Sequence, residues 1–274
     1  METKNPEKGI IISEGRGIKA DSMAIVITIP GYPKVEMTLI TQFATLSSML
    51  TIVPTPIGNL KDITLRALEV LQSVDGIICE DSRRTSLLLN HYQIKKPLQV
   101  LNDYNERLGV QPLIERLKNG ENLALVSDAG TPLISDPGYK LVRECLAQGI
   151  PVDSLPGPSS VITALTLSGL PPDKFTFLGY PPEKPGQRLK FFQNLFDRKV
   201  NESLKVTNIL FISPHKLLRI LEDMKTVFGD IEVVLAKELT KIHQNVEKKQ
   251  ISEWLQSLKI PKGEFILLFN LRTS

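Results

Sequence analysis

The chain has 274 residues, 42% of them apolar and 23% charged, with 33 Lys and Arg against 30 Asp and Glu for a net charge of +3. This composition supplies a packed core and excludes a disordered polyelectrolyte or a strongly basic tail-driven nucleic-acid binder. No apolar run approaches the ~18 residues that span a bilayer, and two cysteines without a C-x-x-C make no disulfide framework. Cys79 and Cys145 read as buried thiols of a reduced, cytoplasmic protein.

Residues 1–48 differ from the rest. Basic Lys4, Lys8, Arg16, Lys19 and Lys34 alternate with acidic Glu2, Glu7, Glu14, Asp21 and Glu36, and the apolar run Ala24–Ile29 is broken by Pro30-Gly31-Tyr32-Pro33. The order of a secretory peptide is missing, and a transit peptide would avoid the acidic residues. The expectation is a mostly disordered leader or a mis-started extension, with Met49 as a natural first residue.

From Thr51 onward strand-like and helix-like pieces alternate. Thr51-Ile52-Val53 leads to a helix capped by Asn59 or Asp62, with Ile63, Ala67, Leu68 and Leu71 on one face. Strands follow at 76–79, 99–101, 122–127 and 152–155. Helices are expected over 85–92, up to Asn119, over 139–148 and over 159–168, with Gly120, Gly149 and Gly169 as stops. Mostly apolar strands alternating with helices indicate an α/β fold with a largely parallel sheet. After Gly169-Leu170-Pro171-Pro172 come strands at 175–177, 208–212, 231–236 and 264–269, a helix from about Arg188, and another started by Ser213-Pro214. The chain therefore divides into an α/β domain over 49–169 and a second over 170–274.

Three loops, each following a strand, have compositions suited to chemistry. In Val53-Pro54-Thr55-Pro56-Ile57-Gly58-Asn59 two prolines stiffen the backbone and a glycine allows close approach. It is neither a dinucleotide nor an ATP loop. Ser127 to Gly138, S-D-A-G-T-P-L-I-S-D-P-G, offers backbone donors, small residues and two carboxylates where open α/β sheets bind ligands. Leu155-Pro156-Gly157-Pro158-Ser159-Ser160 opens a helix, its serines serving as caps or as ligand contacts. Glu80-Asp81-Ser82-Arg83 follows another apolar strand and reads either as a helix-capping cluster or as polar groups projecting into a cleft. Asn105-Glu106 and Lys237-Glu238 are further candidates. His91, His215 and His243 lack metal-ligand spacing, and no G-x-S-x-G is present, so neither a metal site nor a hydrolase is indicated.

Taken in order, Thr51 to Leu60, Glu80 to Arg83, Ser127 to Gly138, Pro156 to Ser159, Ser168-Gly169-Leu170-Pro171, Phe177-Leu178-Gly179-Tyr180 and Ala236 to Lys241 resemble the ribosomal RNA small-subunit methyltransferase I family of the tetrapyrrole-methylase superfamily. The similarity covers residues 49 to about 270. It implies two αβα domains with S-adenosylmethionine (AdoMet) in the cleft between them, and 2′-O-methylation of a cytidine ribose in the decoding region of 16S rRNA, within the small ribosomal subunit. Superfamily analogy adds a homodimer. The resemblance nominates Glu80, Asp81, Arg83 and Asn105 for substrate positioning or proton transfer. For the cofactor it nominates Pro56, Ile57, Asp128, Gly130, Thr131, Ile134, Ser135, Ser159, Ser160, Ala164 and Lys237.

Departures from the family pattern are Ser82 in place of threonine and Asn102-Asp103-Tyr104 where histidines are usual. Longer members add a small C-terminal domain beyond the last strand, and without it part of the RNA grip is expected to be missing. Basic pairs that would meet RNA are Arg83-Arg84, Lys95-Lys96, Lys184 with Arg188 and Lys190, and Lys248-Lys249. A methylase of a small tetrapyrrole and an idle RNA-binding module with this fold are the competing readings.

Overall fold

β-Branched runs in the first residues pair with one another. In the computed structural model, which describes residues 3–4, 11–16, 23–28, 35–37, 48–201, 206–259 and 261–271, Thr3–Lys4 (β1), Ile11–Arg16 (β2), Met23–Thr28 (β3) and Val35–Met37 (β4) form an antiparallel sheet in the order β1-β2-β3-β4. These strands lie within the segment expected to be a mostly disordered leader. The runs around Ile11-Ile12 and Ile25-Val26-Ile27 are too short to show periodicity, yet each supplies the other's ladder, from Ile11 opposite Thr28 to Arg16 opposite Met23. Met1–Ser48 is a unit of its own, and Met49–Ser274 is the second.

The second unit starts with five short strands: Leu50–Ile52 (β5), Gly76–Cys79 (β6), Leu98–Val100 (β7), Leu123–Leu125 (β8) and Val152–Ser154 (β9). They lie in the order β7-β6-β8-β5-β9, all parallel. The helices between them are Leu65–Ser73 (α1), Ser82–His91 (α2), Glu106–Lys118 (α3) and Tyr139–Ala147 (α4), and Ser160–Leu167 (α5) follows β9. Both faces of the sheet are covered, which is why its central strands are apolar throughout. Leu50, Ile78, Leu123 and Leu125 pack with Leu113, Ile114 and Leu117 of α3 and Leu141 of α4. Ile77, Cys79 and Ala124 pack with Ala67 and Leu71 of α1. Caps are shared out differently from expectation: Asn59 caps a single 3₁₀ turn at Leu60–Asp62, and Thr64 caps α1 through the Ala67 amide at 3.1 Å.

The second sheet combines Phe175–Phe177 (β10), Thr207–Ile212 (β11), Glu232–Lys237 (β12), Asn245–Gln250 (β13) and Phe265–Asn270 (β14) in the order β10-β11-β14-β12-β13. Only the β10–β11 pair is parallel. Helices Pro185–Asn201 (α6), Leu217–Phe228 (α7) and Ile251–Ser257 (α8) complete it. Phe192, Leu217, Ile220, Leu221, Met224 and Trp254 cover one face. The other face receives α5: Val161, Ala164 and Leu165 pack on Ile209, Val234, Ala236, Ile266 and Leu268. One helix thus fastens the second sheet to the loops of the first.

Candidate functional site

The carboxyl-terminal ends of β5, β8 and β9 release the three loops singled out above, and backbone bonds sew them together. Thr55 and Gly130 exchange two hydrogen bonds of 2.9 Å each. The Thr55 hydroxyl donates to the Ser127 carbonyl at 3.2 Å, and the Thr131 hydroxyl to the Pro158 carbonyl at 2.9 Å. Gly130 has φ +89°, and a Cβ there would stand 3.2 Å from Ile57 Cγ2. Leu133 and Ser135 hold left-handed φ values of 73° and 69°, strain of order 1–3 kcal/mol each that the surrounding bonds must overcome. The far end of this loop is fastened by Glu106. Its buried carboxylate accepts the Gly138 and Lys140 amides at 3.1 and 3.2 Å and pairs with the Lys140 ammonium at 2.8 Å. Glu106 thereby caps α4 from the start of α3.

Opposite these loops stand the end of β11 (Phe211, Ile212) with Ser213 and Pro214, then Ala236, Leu239 and residues Gly263 to Ile266. They enclose a cleft of about 370 Å³. Its two walls meet where the Asn59 amide donates to the Thr240 hydroxyl at 3.0 Å. Gly58 has no side chain there because a Cβ would lie 2.8 Å from the Leu239 carbonyl oxygen.

Of the residues nominated from sequence, Ile57, Glu80, Asp128, Gly130, Thr131, Ile134, Ser135, Ser159 and Ser160 line this cleft. Six do not. Pro56 is buried one residue behind Ile57. Ala164 is fully buried where α5 packs on the second sheet. Lys237 places its ammonium 5.7 Å from the centre of the Phe265 ring. Asp81 caps α2 through the Arg83 amide and grips the Arg83 guanidinium at 2.7 Å, on a side chain 88% exposed. These two residues follow the capping-cluster alternative, while Glu80 of the same motif lines the cleft. Asn105 uses its amide within its own turn, accepting from the Asn102 amide at 2.8 Å and donating to the Val100 carbonyl at 3.0 Å.

The cleft also contains residues that were not nominated as site residues: Arg84, expected only in a basic pair or beside the carboxylates, Asp136, Tyr180 and the backbone around Glu264. Arg84 is one helical step beyond the Glu-Asp-Ser-Arg motif, and Asp136 was noted only as one of the loop's two carboxylates. For Tyr180 the available signal was the Gly179-Tyr180 step at the end of a strand.

Three carboxyl groups gather at one end of the cleft. Burial, then Asp128, Asp136 and Asp103, push Glu80 from 4.5 up to about 7, against a smaller opposing pull from Arg84. Burial likewise raises Asp136 to about 6, with Asp128 and Asp103 adding and the Ser127 hydroxyl opposing. Asp128 is raised by burial too, although it pairs with Arg84 at 3.4 Å and accepts the Asp81 amide at 3.1 Å. A carboxylate titrating near 7 is half ionised at neutral pH and suited to taking a proton. Among the described residues, no group of three or more His, Cys, Asp or Glu side chains is placed to hold a metal ion, and no helix is long and apolar enough to cross a membrane.

The basic pairs expected on the surface are largely engaged. Arg188 is buried, its guanidinium bound to Asp223 at 2.6 Å and to the Glu183 carbonyl at 2.9 Å. Lys248 pairs with Glu232 at 3.2 Å, and Lys249 pairs with Glu247 and lies 4.4 Å from the centre of the Trp254 ring.

Comparison with known proteins supports the assignment of this architecture. The family model described as Tetrapyrrole (Corrin/Porphyrin) Methylases matches residues 49–254. A relative from Thermotoga maritima named Ribosomal RNA small subunit methyltransferase I is 44% identical over 226 residues, 81% of this chain and 97% of its own. One of the same name from Escherichia coli O157:H7 is 48% identical over 224 residues, 80% of this chain and 76% of its own. Among solved structures, a diphthine synthase superposes with a TM-score of 0.63 at 16% identity, covering 82% of this chain and 91% of that one, a likeness of fold. Two αβα layers joined through α5, the cleft where their loops meet and these relatives together place the chain in the ribosomal RNA small subunit methyltransferase I family of tetrapyrrole methylases.

Proposed function

We propose that this chain transfers a methyl group from AdoMet to the ribose 2′-hydroxyl of a cytidine in the decoding region of 16S rRNA, with the small ribosomal subunit as substrate. The observation that carries the reading is the half-buried Glu80, raised to about 7 in a cleft walled by both sheets.

The residues present suit the cofactor. A cleft of about 370 Å³ falls in the ~300–1,000 Å³ range of small-molecule sites. Ile57, Val161 and Leu239 supply apolar surface for an adenosyl group. The amino terminus of α5, with Ser159 and Ser160, favours the carboxylate of a methionyl group. Asp128 and its acidic neighbours favour the positive charge of a sulfonium. When bound, AdoMet supplies an electrophilic methyl carbon on a leaving group that departs as a neutral thioether.

The protein's work is to align and to deprotonate. The first-sheet loops and the 236–240 segment would hold donor and substrate together between the two walls, and such positioning is worth up to several orders of magnitude in rate. Glu80, half-buried and raised to about 7, would accept the proton that the ribose hydroxyl gives up when methylated. Arg84, beside Asp128 at 3.4 Å, limits the repulsion when Glu80 ionises.

The test is to incubate the purified protein with small subunits lacking the modification and methyl-labelled AdoMet, then digest the RNA and identify the nucleoside. Label in 2′-O-methylcytidine supports the proposal; label on a base, or transfer to a porphyrin precursor and none to the subunit, overturns it.

A further inference from the structure

The second-sheet wall carries an aromatic ring for which nothing above gives a role. Tyr180 follows β10 by three residues, and the Phe211 amide donates to the Gly179 carbonyl at 3.0 Å, which extends the β10–β11 ladder to the edge of the cleft. Gly179 has φ +66°, and a Cβ on it would lie 3.8 Å from the Ser135 hydroxyl of the opposite wall. The chain therefore turns at the point where the walls approach, and the turn presents Tyr180 to the cleft. One edge of its ring rests on Phe211, with centroids 5.5 Å apart and planes at 61°. Phe211 is held in turn by Phe177 at 4.8 Å. Two further rings thus fix the orientation of Tyr180, yet 60% of the residue remains exposed.

A ring that is rigidly backed and left bare is a surface prepared for a flat partner. Two flat groups meet in the proposed reaction, the adenine of the cofactor and the base of the target nucleotide. The position of Tyr180 distinguishes them. Its hydroxyl lies in the field of Glu264, Asp136 and Glu80, the acidic end where a ribose must lose its proton. The apolar surface of Ile57, Val161, Ala236 and Leu239 belongs to the cluster beneath α5, against which Phe177 and Phe211 pack, whereas Tyr180 touches Phe211 from outside that cluster.

We infer that Tyr180 is the platform on which the target base stacks, holding the nucleoside so that its 2′-hydroxyl faces Glu80. The inference rests on the function proposed above and adds the group that holds the substrate. Taking a nucleotide out of its own stack costs a few kcal/mol, and stacking on an aromatic ring offsets that cost without regard to base identity. Tyr180 therefore positions the nucleotide, and the RNA around it selects which one.

The experiment compares Y180F, Y180A and Y180L with wild type, measuring kcat/KM for small subunits at saturating AdoMet and AdoMet affinity by calorimetry. Y180A and Y180L are expected to lose roughly ten- to a hundredfold in kcat/KM, while AdoMet affinity stays within about twofold, which also shows that they fold. Y180F, which keeps the ring, should recover at least about a third of the wild-type value. A tenfold loss of AdoMet affinity in Y180A would assign the ring to adenine and overturn the inference. Equal losses in Y180F and Y180A would assign the effect to the hydroxyl, and an unimpaired Y180A would remove the platform; either overturns it. Failure of the underlying function would look different, because the wild-type protein itself would transfer no methyl group to the subunit.

Discussion

Replacing Glu80 by Gln should make the protein more stable and much less active, and both effects follow from one cause. Glu80 titrates at about 7 in the fold against an ordinary 4.5, so between those values the folded protein binds more protons than the unfolded chain. Stability therefore falls as pH rises from about 4.5 to about 7. The full shift would correspond to at most about 3.4 kcal/mol. Solvent at the cleft mouth screens part of it, leaving about 1–2 kcal/mol. Glu80→Gln, which cannot ionise, should melt about 3–6 °C above wild type near pH 8, and the difference should shrink toward zero near pH 4. Loss of a proton acceptor should lower methyl transfer by about 10²–10⁴-fold. The wild-type rate should rise with pH through a midpoint near 7, a property of Glu80 and Asp136 together. Scanning calorimetry at both pH values and a pH–rate profile test this. A variant no more stable than wild type near pH 8, or one that keeps the wild-type rate, would refute the reasoning.

Other perturbations follow from the same geometry. Glu106→Ala strips the Gly138 and Lys140 amides of their acceptor and should cost about 2 kcal/mol in denaturant unfolding. Glu106 is held below its ordinary 4.5; burial opposes this, but the Lys140 ammonium and amide and the Gly138 amide outweigh it. Its contribution is thus present above about 4.5 and lost as pH falls through the lowered value, opposite in sign to Glu80. Gly58→Ala drives a methyl group against the Leu239 carbonyl and should cost about 1–3 kcal/mol while weakening AdoMet binding in calorimetry. Asp128→Asn loses the charge facing Arg84 and should reduce AdoMet affinity about tenfold, or 1.4 kcal/mol. Removing residues 1–48 should leave the melting temperature of the remainder unchanged, since Met49–Ser274 is a separate unit with its own cores.

The loops were easier to read than the roles of single residues within them. Proline and glycine after an apolar strand are visible in one dimension, and the run from Ser127 to Gly138 does line the cleft through Asp128 to Thr131 and Ile134 to Asp136. Whether a polar group faces a ligand or its own backbone depends on a few ångströms that composition does not encode. Asn105 and the Asp81–Arg83 pair close local turns and caps, whereas Arg84, one residue further along α2, reaches Asp128. β13 escaped notice because Asn-Val-Glu-Lys-Lys-Gln is an edge strand, polar where it meets solvent and held by β12 alone. Tyr180 and Phe211 come from separate elements, and only the β10–β11 pairing makes them neighbours.

In the function proposed above, the cleft between the two sheets holds the methyl donor against a ribose. A crystal structure of the complex with S-adenosylhomocysteine and a cytidine nucleotide tests it most directly. The thioether sulfur is expected between the Asp128 loop and the 236–240 segment, with the 2′-oxygen within hydrogen-bond reach of Glu80. Density for the ligand outside this cleft, or a ribose turned away from Glu80, would contradict it.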